Sequence, residues 1–141
     1  MRGSQIHGAL LLHIMKKQQQ RYHSLKGRLK QDEDRRMTET RIYIGLNDAD
    51  TGEQLYDTGQ YMEQLKTVCQ RYQVPFSVDV EDGGYYHEDG RYVEETSFVL
   101  VLIDAGKDVV RGIAKDLCTQ FNQESVLVTE DHLEGYFVNG N

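Results

Sequence analysis

Tyrosine is the side chain that this sequence concentrates where a ligand or partner could bind. Eight of its nine tyrosines follow Met37. A tyrosine ring joins a flat apolar body to a polar hydroxyl, which suits a partly wet binding surface. Such rings could line a ligand cleft or a protein interface, or they could form cross-strand pairs that stabilise a sheet. Five of them fall on or beside predicted strands: Tyr43, Tyr85, Tyr86, Tyr92 and Tyr136.

Two histidines and two glutamates are further candidates. His87 lies in a predicted turn and His132 follows two acidic residues, so both are typical of solvated surface histidines, although imidazole titrates near neutral pH. Glu94 follows the turn, and Glu124 lies where the second predicted helix meets the last strand. Glu124 could face a cleft, or it could satisfy the end of that helix. The candidate binding residues are therefore Tyr43, Tyr85, Tyr86, His87, Tyr92, Glu94, Glu124 and Tyr136, with none predicted to be catalytic.

Several common sites are not indicated. No serine or cysteine lies in a nucleophile motif. The acidic loop that begins at Asp48 resembles a calcium loop, but Glu53 occupies the position at which an EF-hand needs glycine. No histidine or cysteine cluster has zinc spacing, and Gly83-Gly84 lacks the lysine of a phosphate loop. We therefore expect no metal and no cofactor.

The charge divides the chain at Met37. Residues 1–36 carry nine Lys or Arg and three Asp or Glu, a net of +6, whereas residues 37–141 carry seven and twenty, a net of −13. We predict a basic N-terminal arm over 1–36 and one acidic domain over 37–141. The acidic domain should repel a nucleic-acid backbone, which binds through Lys and Arg. A basic protein partner or a second copy of the chain is the expected partner.

The arm carries the pattern of an amphipathic helix. Six positions spaced 4-3-4-3-4 fall on one stripe of a helix. Such a segment could pair with another helix, dock on the acidic domain or lie on an anionic membrane. It could also be disordered, or lie upstream of a true start at Met37. The stripe consists of Leu11, Met15, Gln18, Tyr22, Leu25 and Leu29.

Cysteine usage and hydropathy place the chain in the cytoplasm. Cys69 and Cys118 are too few for a disulfide scaffold, so we expect two reduced thiols. The apolar run from Ala9 to Met15 is short for a signal peptide and has no small-residue cleavage site after it. We predict no membrane span.

The domain begins with a strand, a loop and a helix. Residues Arg41–Leu46 alternate in polarity and predict a strand with one buried face. Turn formers fill the loop that follows, and Asp57 or Thr58 should cap the first helix. Pro75 should stop that helix.

Two strands and a hairpin follow. A second strand begins at Phe76, and we expect a bulge or bend at Gly83-Gly84. Asp89-Gly90 predicts the hairpin turn, and the return strand ends in six apolar residues at Ile103. A run of six apolar residues indicates a strand with both faces at least partly buried, so we predict that this return strand lies in the centre of the sheet.

The last part contains a helix and a strand. The second helix contains Gly112, which could permit close packing, and the last strand spans 125–129. Residues 133–138 are either its bent continuation or a short edge strand. The order βαββαβ predicts an α+β ferredoxin-like sandwich, with a four-stranded antiparallel sheet and both helices on one face. The opposite face would lack cover and would bind partners.

Three motifs carry a resemblance to a known family. They are Arg41-Ile42-Tyr43-Ile44-Gly45-Leu46, the hairpin from Gly84 to Glu95, and Phe121-Asn122-Gln123-Glu124-Ser125-Val126-Leu127. Residues of about 38–138 resemble the domain of unknown function 3574 family of small bacterial proteins. Tyr86 departs from the tryptophan of many members. The resemblance implies this fold and a bacterial or mobile-element origin, and it implies no catalytic roles.

The expected function is a non-catalytic interaction module that uses the open sheet face. It would bind a second copy or a basic protein, and one version is an inhibitor that mimics nucleic acid. The alternative is a small enzyme or small-molecule-binding protein with a cleft between sheet and hairpin. In that alternative Tyr43, Tyr86, His87 and Glu94 would face the cleft.

Overall fold

A computed structural model describes residues 35–140 of the chain. The predicted helical arm therefore lies outside the described residues, apart from Arg35 and Arg36. Four strands and two helices follow one another in the order βαββαβ. Their bounds are β1 Arg35–Gly45, α1 Thr58–Arg71, β2 Ser77–Tyr86, β3 Tyr92–Ile103, α2 Lys107–Gln120 and β4 Leu127–Gly135.

The strands form one antiparallel sheet in the order β2-β3-β1-β4. Both crossovers carry a helix, and β2 and β3 form the central hairpin. The ferredoxin-like α+β fold predicted from the element order is therefore confirmed. None of the helices within residues 35–140 is long and apolar enough to cross a bilayer.

The main core lies between the sheet and the two helices. Ile42 and Leu100 face it from directly paired positions on β1 and β3, and neither is exposed. Leu65 of α1 and Leu117 of α2 are likewise fully buried. Each such side chain contributes about 1.5–3 kcal/mol by leaving water. Each helix turns one apolar face to the sheet: α1 buries Tyr61, Leu65, Val68 and Cys69, and α2 buries Val110, Ile113, Ala114 and Leu117.

Strands β1 and β4 are longer than their polarity patterns predict. β1 begins at Arg35 because its first residues pair with β4. The last pair of this ladder joins Arg35 to Gly135. β4 runs without a break from Leu127 to Gly135. The segment after Leu133 therefore continues the last strand as far as Gly135, and no separate edge strand forms there.

Of the bulge or bend expected at Gly83-Gly84, the bulge is wrong. The ladder between β2 and β3 continues through Gly83, opposite Glu95, and Gly84, opposite Glu94. A side chain at Gly84 would overlap the ring of Tyr92, which lies across the backbone there. The glycine therefore makes room for an aromatic ring within a regular hairpin.

Helix α1 begins and ends close to its predicted limits, and α2 packs closely at Gly112. Asp57 caps α1, and its backbone N–H donates to the Gln60 side chain at 3.0 Å. The helix ends at Arg71, four residues before Pro75. Gly112 permits the close packing that was predicted, because an added Cβ there would lie 2.7 Å from the hydroxyl of Tyr72.

The second face of the sheet points away from both helices. Met37, Val99, Val101 and Ile103 form a separate buried cluster there, with Tyr43 packed against it. We refer to these five residues as the open-face stripe. Its members alternate along β1 and β3 with residues of the main core, as the twofold repeat of a strand requires.

Candidate functional site

Two grooves meet at the base of the β2–β3 hairpin, beyond the ends of the helices. The hairpin groove has a volume of about 620 Å³ and contains Tyr92, Glu94 and Gln54 among its lining residues. The junction groove has a volume of about 600 Å³ and lies between the hairpin, the β1–α1 loop and the α2–β4 junction. Both volumes are in the range of small-molecule sites. Of the described residues, three line both grooves: Asn47, Tyr92 and Glu95.

Glu95 is held in place by the end of β1. Its carboxylate accepts a hydrogen bond from the Asn47 backbone N–H at 3.0 Å. Gly45 leaves room for this carboxylate, because a Cβ there would overlap it. The Asn47 amide in turn donates to the Glu94 carbonyl at 3.1 Å. The strand end, the loop and the hairpin therefore fix the position of one carboxylate between the two grooves.

Polar contacts also tie the β1–α1 loop to the α2–β4 junction. The Asn122 side-chain amide donates to Asp48 at 2.8 Å and to Asp50 at 2.9 Å. The Ala49 N–H donates to the Asn122 carbonyl at 2.9 Å. The Gln123 side-chain amide donates to the Asn47 carbonyl at 2.7 Å. These contacts form the wall of the junction groove that faces the hairpin.

Asp48 is at the centre of these contacts and is 8% exposed. The hydrogen bond from Asn122 is the largest cause that holds the pKa of Asp48 below its ordinary value. Backbone N–H groups of Asp50 and Thr51, at 2.9 and 3.1 Å, act in the same direction. The acidic loop that resembles a calcium loop is therefore organised by the side-chain amide of Asn122 and by its own backbone N–H groups.

Aromatic rings line the hairpin on both sides. Tyr86 and Tyr92 have ring centroids 5.3 Å apart on one side, and Tyr85 and His87 have theirs 5.3 Å apart on the other. Tyr85 and Tyr92 are 43% and 52% exposed, so their rings remain available to a ligand. The contact between Tyr86 and Tyr92 is a cross-strand aromatic pair of the kind that one interpretation of the tyrosines predicted, whereas Tyr85 and His87 are two residues apart along the chain.

Five of the candidate residues line the two grooves. Tyr85, His87, Tyr92 and Glu124 line the junction groove, and Glu94 together with Tyr92 lines the hairpin groove. Sequence separation hid the fact that Glu124 lies across from the hairpin. Whether these residues bind a ligand stays a prediction.

The structure does not bring the other three candidates into these grooves. Tyr43 packs in the open-face stripe. Tyr86 is 73% exposed near the hairpin turn and faces Tyr92. Tyr136 follows β4 at the opposite end of the sheet and is 55% exposed. His132 is on β4 opposite Thr38, so the two histidines do not meet.

Other lining residues were missed or assigned only a structural part. Glu95 was missed because no sequence signal distinguishes it from its neighbour Glu94. The alternation of side chains along a strand places the two carboxylates on opposite sides of the hairpin. Arg91 directly follows the predicted turn Asp89-Gly90 and was not among the candidate residues, yet it lines the junction groove. The loop composition around Asn47 signalled a turn, but not its contact with Gln123.

Known structures share this fold. A phage SAM lyase in complex with S-methyl-5′-thioadenosine matches with a TM-score of 0.53 and 24% identity, over 72% of this chain and 90% of that one. A phage SAM lyase in the apo state matches with a TM-score of 0.50 and 22% identity, over 81% and 97%. CPII bound to ADP and bicarbonate, from Thiomonas intermedia K12, matches at 0.44 and 10% identity, over 74% and 93%, which is too distant to support an argument. No family model matches the chain, and no curated protein matches it.

These comparisons correct the expected function. The non-catalytic interaction module, including the inhibitor that mimics nucleic acid, is wrong because the structural neighbours are a SAM lyase, which is an enzyme. The neighbours favour the alternative of a small enzyme with a cleft between sheet and hairpin. The acidic charge had indicated a basic protein partner, and charge together with size had indicated a mimic of nucleic acid. Acidic groups serve equally well in a site for a cationic small molecule.

Proposed function

We propose that this protein is a small enzyme that binds S-adenosylmethionine (SAM) in the junction groove and cleaves it to S-methyl-5′-thioadenosine. The observation that supports this best is the pairing of aromatic and acidic side chains in that groove, in a chain that shares its fold with a phage SAM lyase. The groove lies between the hairpin, the β1–α1 loop and the α2–β4 junction, so it shares only the hairpin with the cleft that the enzyme alternative expected.

The lining of the groove matches the parts of SAM. Adenine is a flat ring that can stack on Tyr85 or Tyr92. The ribose hydroxyls and the cationic sulfonium and ammonium groups are suited to Glu95 and Glu124. Among residues 35–140, Arg91 is the one Lys or Arg that lines the groove, and a guanidinium can bind the carboxylate of the amino-acid part.

The chemistry asks little of the protein beyond orientation and electrostatics. When the bond between sulfur and Cγ of the amino-acid part breaks, sulfur keeps the electron pair and leaves as a neutral thioether. As this bond breaks, either an oxygen of the fragment's own carboxylate forms a new bond to Cγ and closes a lactone ring, or a base removes a proton from Cβ and a Cβ–Cγ double bond forms. Glu95 is fixed by Asn47 and can stabilise the cationic substrate, and in the second route Glu124 is the candidate base.

The test is product formation by the purified full chain. We expect incubation with SAM to release S-methyl-5′-thioadenosine, detected by liquid chromatography and mass spectrometry, and the four-carbon product distinguishes ring closure from proton loss. Glu95→Gln and Glu124→Gln should reduce the rate by about tenfold to a thousandfold, the loss typical of a positioned charged group. Glu63→Gln, on the exposed side of α1, is the matched control and should keep the rate.

A null result has a clear form. If SAM neither forms the thioether nor raises the melting temperature, the proposal is wrong. If SAM raises the melting temperature without turnover, the groove binds the nucleoside and the lyase activity is rejected.

Three broader predictions are carried forward as proposals. Membership of the domain of unknown function 3574 family rests on the three motifs quoted above. A cytoplasmic location is supported by the two free cysteines, and cell fractionation tests it. Association with a second copy or with a basic protein is tested by light scattering of the purified chain, alone and with lysate fractions.

A further inference from the structure

The open-face stripe has the burial of an interface core. Val101, Val99 and Ile103 are 0%, 2% and 5% exposed although they point away from α1 and α2. One sheet and two helices make up the regular structure of residues 35–140, and both helices pack on the other face. No helix or strand of that part of the chain covers the stripe.

Acidic residues surround the stripe. Arg41 is the one cation among residues 36–140 that projects from the strands on this face, and it pairs with Glu39 at 3.2 Å. An apolar centre with a polar, charged rim is the usual composition of a binding surface. This rim should favour a basic occupant. The acids that share the face are Glu39, Asp79, Glu81, Glu95 and Asp131.

We propose that the chain's own N-terminal segment, residues 1–34, docks on this face. That segment carries seven Lys or Arg against three Asp or Glu, a net of +4, so its charge complements the rim. Its predicted apolar stripe, from Leu11 to Leu29, would lie on the open-face stripe. This inference does not depend on the proposed enzymatic function.

The dimensions fit this occupant. A helix over residues 9–30 would be about 33 Å long, and the eleven residues of β1 span about 36 Å. Residues 31–34 remain to reverse the chain before Arg35. The helix would then run back along β1 towards Gly45, so its first turns would approach the end of the sheet where the grooves lie.

A second copy suits this face less well. A twofold dimer places the same patch of each subunit against itself. Five acidic residues on each side would then face one another with one cation each, and like charges brought together oppose association. The covalently attached basic segment avoids this repulsion and is present at a high effective concentration.

Limited proteolysis of the full chain tests the docking. Trypsin cleaves after Lys and Arg, so a docked segment is protected at low salt and released as salt screens the rim. We expect cleavage within residues 1–34 to be about tenfold faster at 0.5 M than at 0.05 M NaCl, relative to a disordered reference peptide that corrects for the effect of salt on trypsin.

Neutral substitutions on the two faces provide the matched comparison. Asp131→Asn with Glu81→Gln removes two acids from the open face, and we expect cleavage at low salt to become several-fold faster. Glu63→Gln with Asp108→Asn removes two acids from the exposed sides of the helices and should leave the rate unchanged. All four substituted positions are exposed and each new side chain is uncharged, and circular dichroism checks that both double variants fold.

Two results would overturn the proposal. One is cleavage that is insensitive to salt and to the Asp131 and Glu81 substitutions. The other is a mass that rises with concentration in light scattering and rises further in the open-face variant alone, because a second copy would then be the occupant.

Discussion

Replacing Gly45 by alanine should separate the position of the Glu95 carboxylate from the stability of the fold. The added Cβ would overlap this carboxylate, which is the far end of a flexible side chain and can rotate away. Rotation breaks the hydrogen bond from the Asn47 N–H, which is 3.0 Å long. The variant should therefore fold while its carboxylate leaves the place between the two grooves.

The expected cost in stability is small. A hydrogen bond to a charged acceptor contributes about 1.5–3 kcal/mol, and we take the low end because Glu95 is only partly buried. Alanine recovers about 0.5–1 kcal/mol relative to glycine within a strand. The free energy of unfolding should fall by about 1 kcal/mol, which lowers the melting temperature by roughly 4–8 °C in a domain of this size.

The expected functional effect is much larger. If Glu95 contributes to the binding of a cationic substrate, the loss of its position should weaken SAM binding by at least about tenfold, which is about 1.4 kcal/mol. Thermal denaturation and isothermal titration calorimetry measure the two quantities on the same samples. Gly59→Ala in α1 is the control, because a Cβ there meets no atom within 4 Å.

A double-mutant cycle decides whether Gly45 acts through Glu95. In a Glu95→Ala background the Gly45→Ala change should have no further effect on SAM binding, since the carboxylate that it displaces is already missing. SAM affinity that is unchanged in Gly45→Ala alone would refute the reasoning. So would a loss of stability above about 3 kcal/mol, because it would mean that the carboxylate cannot move aside.

Three further predictions follow from individual contacts. Asn122→Ala should raise the pKa of Asp48 towards its ordinary value in an NMR titration. Ionised Asp48 stabilises the native state at pH values above the ordinary carboxyl pKa, and this stabilisation is lost as pH falls through its lowered pKa. The variant should therefore have a smaller free energy of unfolding at neutral pH, and that free energy should fall less on acidification. Gly112→Ala should lower the free energy of unfolding by up to about 2 kcal/mol in urea, because the clash with Tyr72 at 2.7 Å outweighs the gain in helix propensity. Burial raises the pKa of Cys69 to about 12, so at pH 8 a thiol reagent should leave it unmodified until the protein unfolds, and fast modification in the native state would contradict its burial.

Local patterns predicted the elements wherever one physical cause dominates. The alternation of Ile42 and Ile44 marks a strand with one buried side, and Asp89-Gly90 marks the turn because Gly90 adopts a φ of +87°. Asp57 caps α1 as predicted. In each case the cause lies within a few neighbouring residues, so it can be read without the fold.

Patterns failed where the cause lies in a distant residue. The two glycines of β2 indicated a bulge, yet Gly84 is there because Tyr92 crosses it from the other strand. β1 begins at Arg35, earlier than its alternation suggests, because β4 is available to pair with it. Backbone pairing does not depend on side-chain polarity, so hydropathy does not report it.

The sequence by itself determined the element order, the faces that both helices bury and the acidic character of the domain, because periodicity and charge are properties of neighbouring residues. The tertiary structure decided the site. It placed Glu95 under Gly45, joined Asn122 to Asp48 across 74 positions, and brought Glu124 opposite the hairpin. These contacts form because turns in the chain bring distant residues together. A contact between residues so far apart in sequence produces no periodic pattern from which it could be predicted.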